Sequence, residues 1–279
     1  MAKTEKYQLL PAFEDREKEK RFRAARDTII TFEARDRHGI GMQKEKTLHA
    51  VLKCTEEPDP DRQEIPIGSY IADILTEDQR IIEIQTANMN AMRDKLASFL
   101  PLYPVKIVYP IPYRKWVTWI DPETGELTVR NKSTRKGSFY QAFRELYKIR
   151  PFLSDPHLSI DLILLDMEEY RLQDGWSRDK KRGSHRYDRV PVSIVSEIHL
   201  ERPEDYMIFL PPSLPEPFDS KTFASCAGIK GDMSSTILLM LTELGVAERI
   251  GKKGRSYLYR VREDDGEQTT EQEKADTKT

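Results

Sequence analysis

Residues 70–86 read YIADILTEDQRIIEIQT. The runs IADIL and RIIEIQT flank a polar turn, as in a β-hairpin. Asp73 interrupts the first run, and Glu83 and Gln85 interrupt the second. Side chains alternate along a strand, so Glu83 and Gln85 share one face while Ile82 and Ile84 share the other. An odd-numbered loop, or a bulge, sets Asp73 opposite Glu83 on that face, with the carboxylates within about 5 Å. Two such groups repel each other unless a proton or a cation intervenes. A divalent ion held by carboxylates, water and a substrate phosphate suits the geometry, with Mg2+ the usual occupant. The competing reading is a solvated sheet face. The apolar runs around each acid, and helical segments on both sides of the hairpin, weigh against it.

Upstream, a helix is expected over 43–54. Leu48, Val51, Leu52 and Thr55 recur at i, i+3, i+4 and i+7 and make one face. Glu45, three residues before Leu48, projects toward the same side, and His49 follows one turn on. QEIPIGSY supplies a strand before the hairpin. Downstream, ANMNAMRDKLASFL (87–100) reads as a helix with Met89, Met92, Leu96 and Leu100 on one face, and VKIVYPI (105–111) as a buried strand. The order is helix, three-strand meander, helix, strand. Its strand–helix–strand crossover calls for parallel pairing, so the sheet should be mixed.

The remainder follows the same α/β pattern to residue 210. VTWIDPETGELTVRN reads as a hairpin, SFYQAFRELYKIRPFL as a helix, and LSIDLILLDMEEYRLQ and VPVSIVSEIHLE as strands. Residues 1–37 are charge-dense, with opposite charges at helical spacing, and read as a helical extension packed on the core. A partner-binding or DNA-contacting arm is the alternative there. Residues 211–218, PPSLPEPF, form a Pro-rich linker. Within 219–262, two helices precede a ribbon with a GKKGR loop, the winged-helix order. The second helix is expected to open on an Asp/Ser cap. The tail, 263–279, is polar and charged and is expected to be disordered.

The 279 residues carry a net charge of −2, so any nucleic-acid surface must come from local clusters. Lys180, Lys181, Arg182 and Arg186 form one such cluster, with Tyr187 placed to stack on a base. Lys252, Lys253 and Arg255 form another at the ribbon tip, suited to phosphate contacts. The recognition-helix candidate is mostly apolar and offers little for reading bases. Two distant cysteines, Cys54 and Cys226, argue against a disulfide framework or a structural zinc and for a reducing, cytoplasmic setting. No apolar run approaches about 18 residues and the first ten lack a signal-peptide core, so no membrane association is expected.

The element order, together with Glu45, Ala72-Asp73 and Glu83-Ile84-Gln85, resembles the PD-(D/E)xK nuclease superfamily over roughly residues 40–111. The region also resembles uncharacterised bacterial proteins that pair such a core with a C-terminal winged helix. The resemblance implies a restriction endonuclease-like α/β fold, a mixed sheet flanked by helices, and metal-dependent hydrolysis of DNA phosphodiesters. Asp73 and Glu83 would hold Mg2+ (or Mn2+), Glu45 would add a direct or water-mediated ligand, and Gln85 would complete the catalytic set. Gln85 is the departure, because most members carry Lys there. Gln can orient a water but brings no charge, and Lys44, Lys46, Arg93 and His49 are the candidate substitutes. The alternative implied by Gln85 is an inactive nuclease fold that binds DNA or regulates. A third reading is an adaptor that binds a protein through the N-terminal helix. A homodimer would suit a double-strand cutter.

Overall fold

The computed structural model describes residues 9–35, 46–173 and 185–262. The chain divides into two compact units, one spanning Gln8–Phe209 and the other Leu210 onward. The first unit is a mixed sheet covered by helices. In chain order it contains α1 (Arg16–Arg35), α2 (Thr47–Glu56), β1 (Gln63–Ile67), β2 (Tyr70–Leu75), β3 (Ile81–Ile84), α3 (Arg93–Phe99), β4 (Val105–Ile120), β5 (Asn131–Lys132), α4 (Phe143–Leu146), β6 (Leu158–Leu172) and β7 (His185–Leu200). The sheet order is β1-β2-β3-β4-β6-β7, with β5 laid on the outer half of β4. The first three strands form an antiparallel meander, β3 and β4 run parallel, β4 and β6 run parallel, and β7 returns antiparallel. The expected mixed sheet is therefore present, and α3 is the crossover that makes β3 and β4 parallel.

Strand alternation divides the core. Ile74, Ile82, Ile84, Val108, Ile163 and Leu165 face α1 and α2, whose Phe22, Leu48, Val51 and Leu52 complete one apolar layer. Each such fully buried side chain contributes about 1.5–3 kcal/mol of transfer free energy. The opposite layer is aromatic. Phe143 packs edge-on against Phe209 with centroids 4.7 Å apart, and the Tyr140 hydroxyl donates to the Phe209 carbonyl at 2.9 Å.

Several elements depart from expectation. The helix expected over 43–54 is observed as Thr47–Glu56, preceded by an extended Lys46. VKIVYPI does not end at 111. It continues as one 16-residue strand, because a register shift between Pro112 and Lys115 absorbs the prolines that otherwise break the ladder. SFYQAFRELYKIRPFL is not one helix. Short stretches of 3-10 helix, Phe139–Ala142 and Tyr147–Phe152, flank the four-residue α4, and Pro151 lies in the second of them.

The second unit holds α5 (Ser220–Ala227), α6 (Gly231–Glu243) and the antiparallel ribbon β8 (Ala247–Lys253) and β9 (Ser256–Val261). Asp219 caps α5 by accepting from the Thr222 amide at 2.8 Å. The Asp/Ser cap expected for α6 is absent. Lys230 holds the cap position without a side-chain bond, Asp232 sits inside the first turn, and the Ser234 hydroxyl donates back to the Gly231 carbonyl. Among the described residues no helix is long and apolar enough to cross a membrane.

Candidate functional site

The β2–β3 turn, Thr76–Arg80, holds five residues, an odd number. Thr76 donates its amide to the Arg80 carbonyl at 2.9 Å, and Gln79 takes a left-handed φ of 61°. With Ile74 opposite Ile82 and Leu75 opposite Ile81, the register carries Asp73 opposite Glu83. There the two strands stop exchanging backbone hydrogen bonds, and the side chains take over. The Ile84 amide donates to Asp73 Oδ2 at 2.8 Å, and the Asp73 amide points at Glu83 Oε1 at 3.3 Å. The carboxylates thus satisfy the N–H groups released where the hairpin splays, which fixes them in place.

Two further side chains converge on this pair. α3 packs over the face that Glu83 shares and brings Lys95 Nζ to 2.6 Å from Glu83 Oε2. From α2, His49 Nε2 reaches Asp73 Oδ2 at 3.2 Å. Glu83 is 3% exposed and Asp73 about a sixth exposed, so the pair opens to solvent through Asp73. Burial, and then the charge of Asp73, push the Glu83 carboxyl up to about 7 despite Lys95. Burial pushes Asp73 up as well, but the His49 hydrogen bond and charge, the Ile84 amide and Lys95 outweigh it and hold Asp73 below the usual range. The site therefore pairs an ionised carboxylate with one poised near neutrality.

Gln85 does not join them. Its amide donates to the Ala87 carbonyl, and it makes no hydrogen bond to Asp73 or Glu83. Arg93 turns away to the Lys148 carbonyl at 2.9 Å. Lys95 was the residue missed in the sequence. Its signal was there: Met92, Lys95 and Phe99 follow i, i+3, i+7 on a helix whose Met92, Leu96 and Phe99 are buried. Glu45 and Lys44 lie outside the described residues. Among those described, no group of three or more His, Cys, Asp or Glu has metal-holding geometry. Two carboxylates suffice for a Mg2+ that keeps its waters and shares a phosphate, and a cation would relieve the repulsion that raises Glu83, so the donor set fits.

Of the expected nucleic-acid contacts, Lys180, Lys181 and Arg182 lie outside the described residues. Arg186 is on β7, with its Nε 3.5 Å from the buried Glu169, while Tyr187 is 59% exposed. Lys252, Lys253 and Arg255 are exposed at the β8–β9 tip, with Lys252 over the Tyr257 ring.

No solved structure matches the chain. A protein of Treponema pallidum (strain Nichols), named "Uncharacterized protein", is 29% identical over 221 residues, which cover 79% of this chain and 87% of that one. The family described as "Domain of unknown function (DUF8091)" matches residues 46–201, from the start of α2 to the end of β7. That span is more than half of the chain and contains Asp73, Glu83, Lys95 and His49, and the protein belongs to this family.

Proposed function

We propose that the first unit is a metal-dependent phosphodiesterase of the PD-(D/E)xK kind acting on DNA, and that the second is a winged helix that helps engage it. The reading is carried by one observation: Asp73, Glu83 and Lys95 meet at the splayed end of the β2–β3 hairpin, linked by contacts of 2.6–3.3 Å. Asp73 and Glu83 would hold the Mg2+ or Mn2+, and Glu45 would be the further ligand. When bound, the cation supplies Lewis acidity toward the scissile phosphate.

The other roles fall to the chain's own groups. His49 keeps Asp73 ionised and oriented. Lys95 supplies the positive charge that Gln85 lacks, aimed at a phosphate oxygen beside Glu83. The α3 helix shuts water from the inner side of Glu83, which strengthens each of these interactions. The order helix, helix, ribbon supports the winged-helix reading, and the tip cations Lys252, Lys253 and Arg255 suit backbone phosphates.

The test is cleavage of plasmid, linear and branched DNA with Mg2+ or Mn2+. Asp73→Ala and Glu83→Ala should abolish it, and Lys95→Met should cost about 10²–10³-fold, with Lys95→Arg recovering part. No metal-dependent cleavage, or cleavage that survives both acid substitutions, defeats the reading. The tie of Gln85 to Ala87 favours a second reading, an inactive nuclease fold that binds DNA. Retention on DNA with no turnover by the wild type would select it.

A further inference from the structure

Residues 129–137 read VRNKSTRKG, with four cations in nine residues and no acid. This segment is pinned along the outer half of β4. Lys132 pairs with Trp116 and Asn131 with Val117, the Ser133 amide donates to the Lys115 carbonyl at 2.7 Å, and the Gly137 amide donates to the Tyr113 carbonyl at 2.8 Å. A Cβ on Gly137 would lie 2.0 Å from the Pro112 carbonyl oxygen, so only glycine allows this approach.

The pinning gathers cations around two aromatic rings. Arg130 lies 4.4 Å from the Trp116 centroid, Lys132 5.8 Å and Arg114 6.0 Å, while Lys136 lies 5.5 Å from the Tyr113 ring. Arg114 is neutralised by Asp166 and Arg130 by Glu168. Lys132, Arg135 and Lys136 are exposed, and none has a carboxylate within 4.0 Å among the described residues. Beside them Leu127 is 59% and Val129 80% exposed. The surface is thus a strip of uncompensated positive charge interleaved with rings and exposed apolar groups.

Its place in the fold is informative. β3 ends at Ile84, opposite Val108, while the parallel β4 runs on to Ile120. The strip therefore projects past the carboxyl end of β3, the end at which Asp73 and Glu83 meet, at roughly 15–30 Å along β4 by the rise of a strand. Carboxyl ends of parallel strands are where α/β sheets take their ligands.

We propose that this strip binds single-stranded nucleic acid, with phosphates on Lys132, Arg135 and Lys136 and bases stacked against Trp116 and Tyr113. The proposal deepens the nuclease reading and rests on it for the choice of polyanion. Phosphates alone would need only the charges. The rings point to unpaired bases, since stacking contributes about 1–3 kcal/mol per base and a duplex turns its bases inward.

The test uses the full chain in EDTA, with fluorescence anisotropy of labelled oligo-dT, oligo-U and a duplex, and with heparin and poly-glutamate as competitors. Trp116→Leu should weaken single-strand binding at least tenfold, and Trp116→Phe should recover most of it. Lys132→Ala with Lys136→Ala should lower the salt-dependence slope by about 1.4. Gly137→Ala should weaken binding by displacing the segment. Wild-type affinity in Trp116→Leu, or competition by poly-glutamate equal to that by oligonucleotide, overturns the proposal. Binding that depends on Trp116 without any Mg2+-dependent cleavage leaves this site standing and removes the nuclease reading. Cleavage with binding indifferent to these variants does the reverse.

Discussion

The same sheet buries two groups of charges, and they are treated in opposite ways. Under α1, Lys18 lies 2.7 Å from Glu56, 2.6 Å from Glu197 and 3.8 Å from Asp161. Lys106 adds contacts to Glu56 and Asp161, and His199 Nδ1 sits 2.6 Å from Asp161. Each carboxylate there has a cation in contact. Burial pushes Asp161 up, but His199, Lys106 and Lys18 outweigh it and hold it at about 2. Burial likewise fails to raise Glu56, because Lys18 and Lys106 hold it below its usual range. Glu197 is the exception: burial first, and then the charges of Asp161 and Glu56, raise it despite Lys18. At the β2–β3 hairpin the balance tips the other way: Glu83 rises to about 7 with one lysine beside it and Asp73 opposite. A neutralised cluster clamps a helix to a sheet. An under-neutralised pair has room for a cation.

The comparison can be broken at its strongest point. Lys18→Met should leave Glu197 buried and uncompensated and Glu56 with Lys106 alone, costing about 3–5 kcal/mol in urea unfolding. Lys95→Met should cost far less, since Glu83 can take up a proton instead. A larger loss for Lys95→Met would erase the distinction.

Asp161 gives the next largest effect. Its folded pKa lies below the unfolded value, so its contribution is present above pH 4 and is lost as pH falls toward 2. Asp161→Asn should remove about 2–3 kcal/mol of that acid dependence, read as a flatter stability curve between pH 5 and 2.

Glu83 has the opposite sign. Its folded pKa is raised, so its contribution is full below the usual carboxylate pKa and fades as pH rises through 7. Glu83→Gln should therefore gain stability relative to wild type between pH 5 and 8, while abolishing the proposed cleavage. A loss of stability across that range would sink the account of Glu83 as under-neutralised. The smallest effect belongs to the exposed Glu19–Arg23 pair at i, i+4, where Arg23→Ala should change stability by about 0.5 kcal/mol or less in the same assay.

The hairpin was legible because its information is local. Period-two alternation and an odd turn length carry Asp73 to Glu83 before any tertiary contact is known. The crossover through α3 was legible for the same reason, and so was the apolar face of α2, though not its bounds. The 16-residue length of β4 was not. Pro110 and Pro112 argue against a strand taken alone, and the pairing to β6, which runs through both of them, keeps them in one. The role of α1 was hidden too, because Lys18 reads as a solvated charge until Glu56, Lys106, Asp161 and Glu197 close around it. The spacing of Lys95 from Met92 and Phe99 places it on the buried side of its helix, but only the packing of that helix on the sheet brings it to Glu83.

By itself the sequence determined the α/β class, the mixed pairing of the sheet and the approach of Asp73 to Glu83, because periodicity and short loops leave little freedom there. Tertiary structure alone decided which cation meets which acid. Such pairings join residues 12 to 179 positions apart, here Lys95 to Glu83 and Lys18 to Glu197, and depend on how helices settle on sheet faces. Burial then sets the charge each group can carry, and no local pattern encodes that.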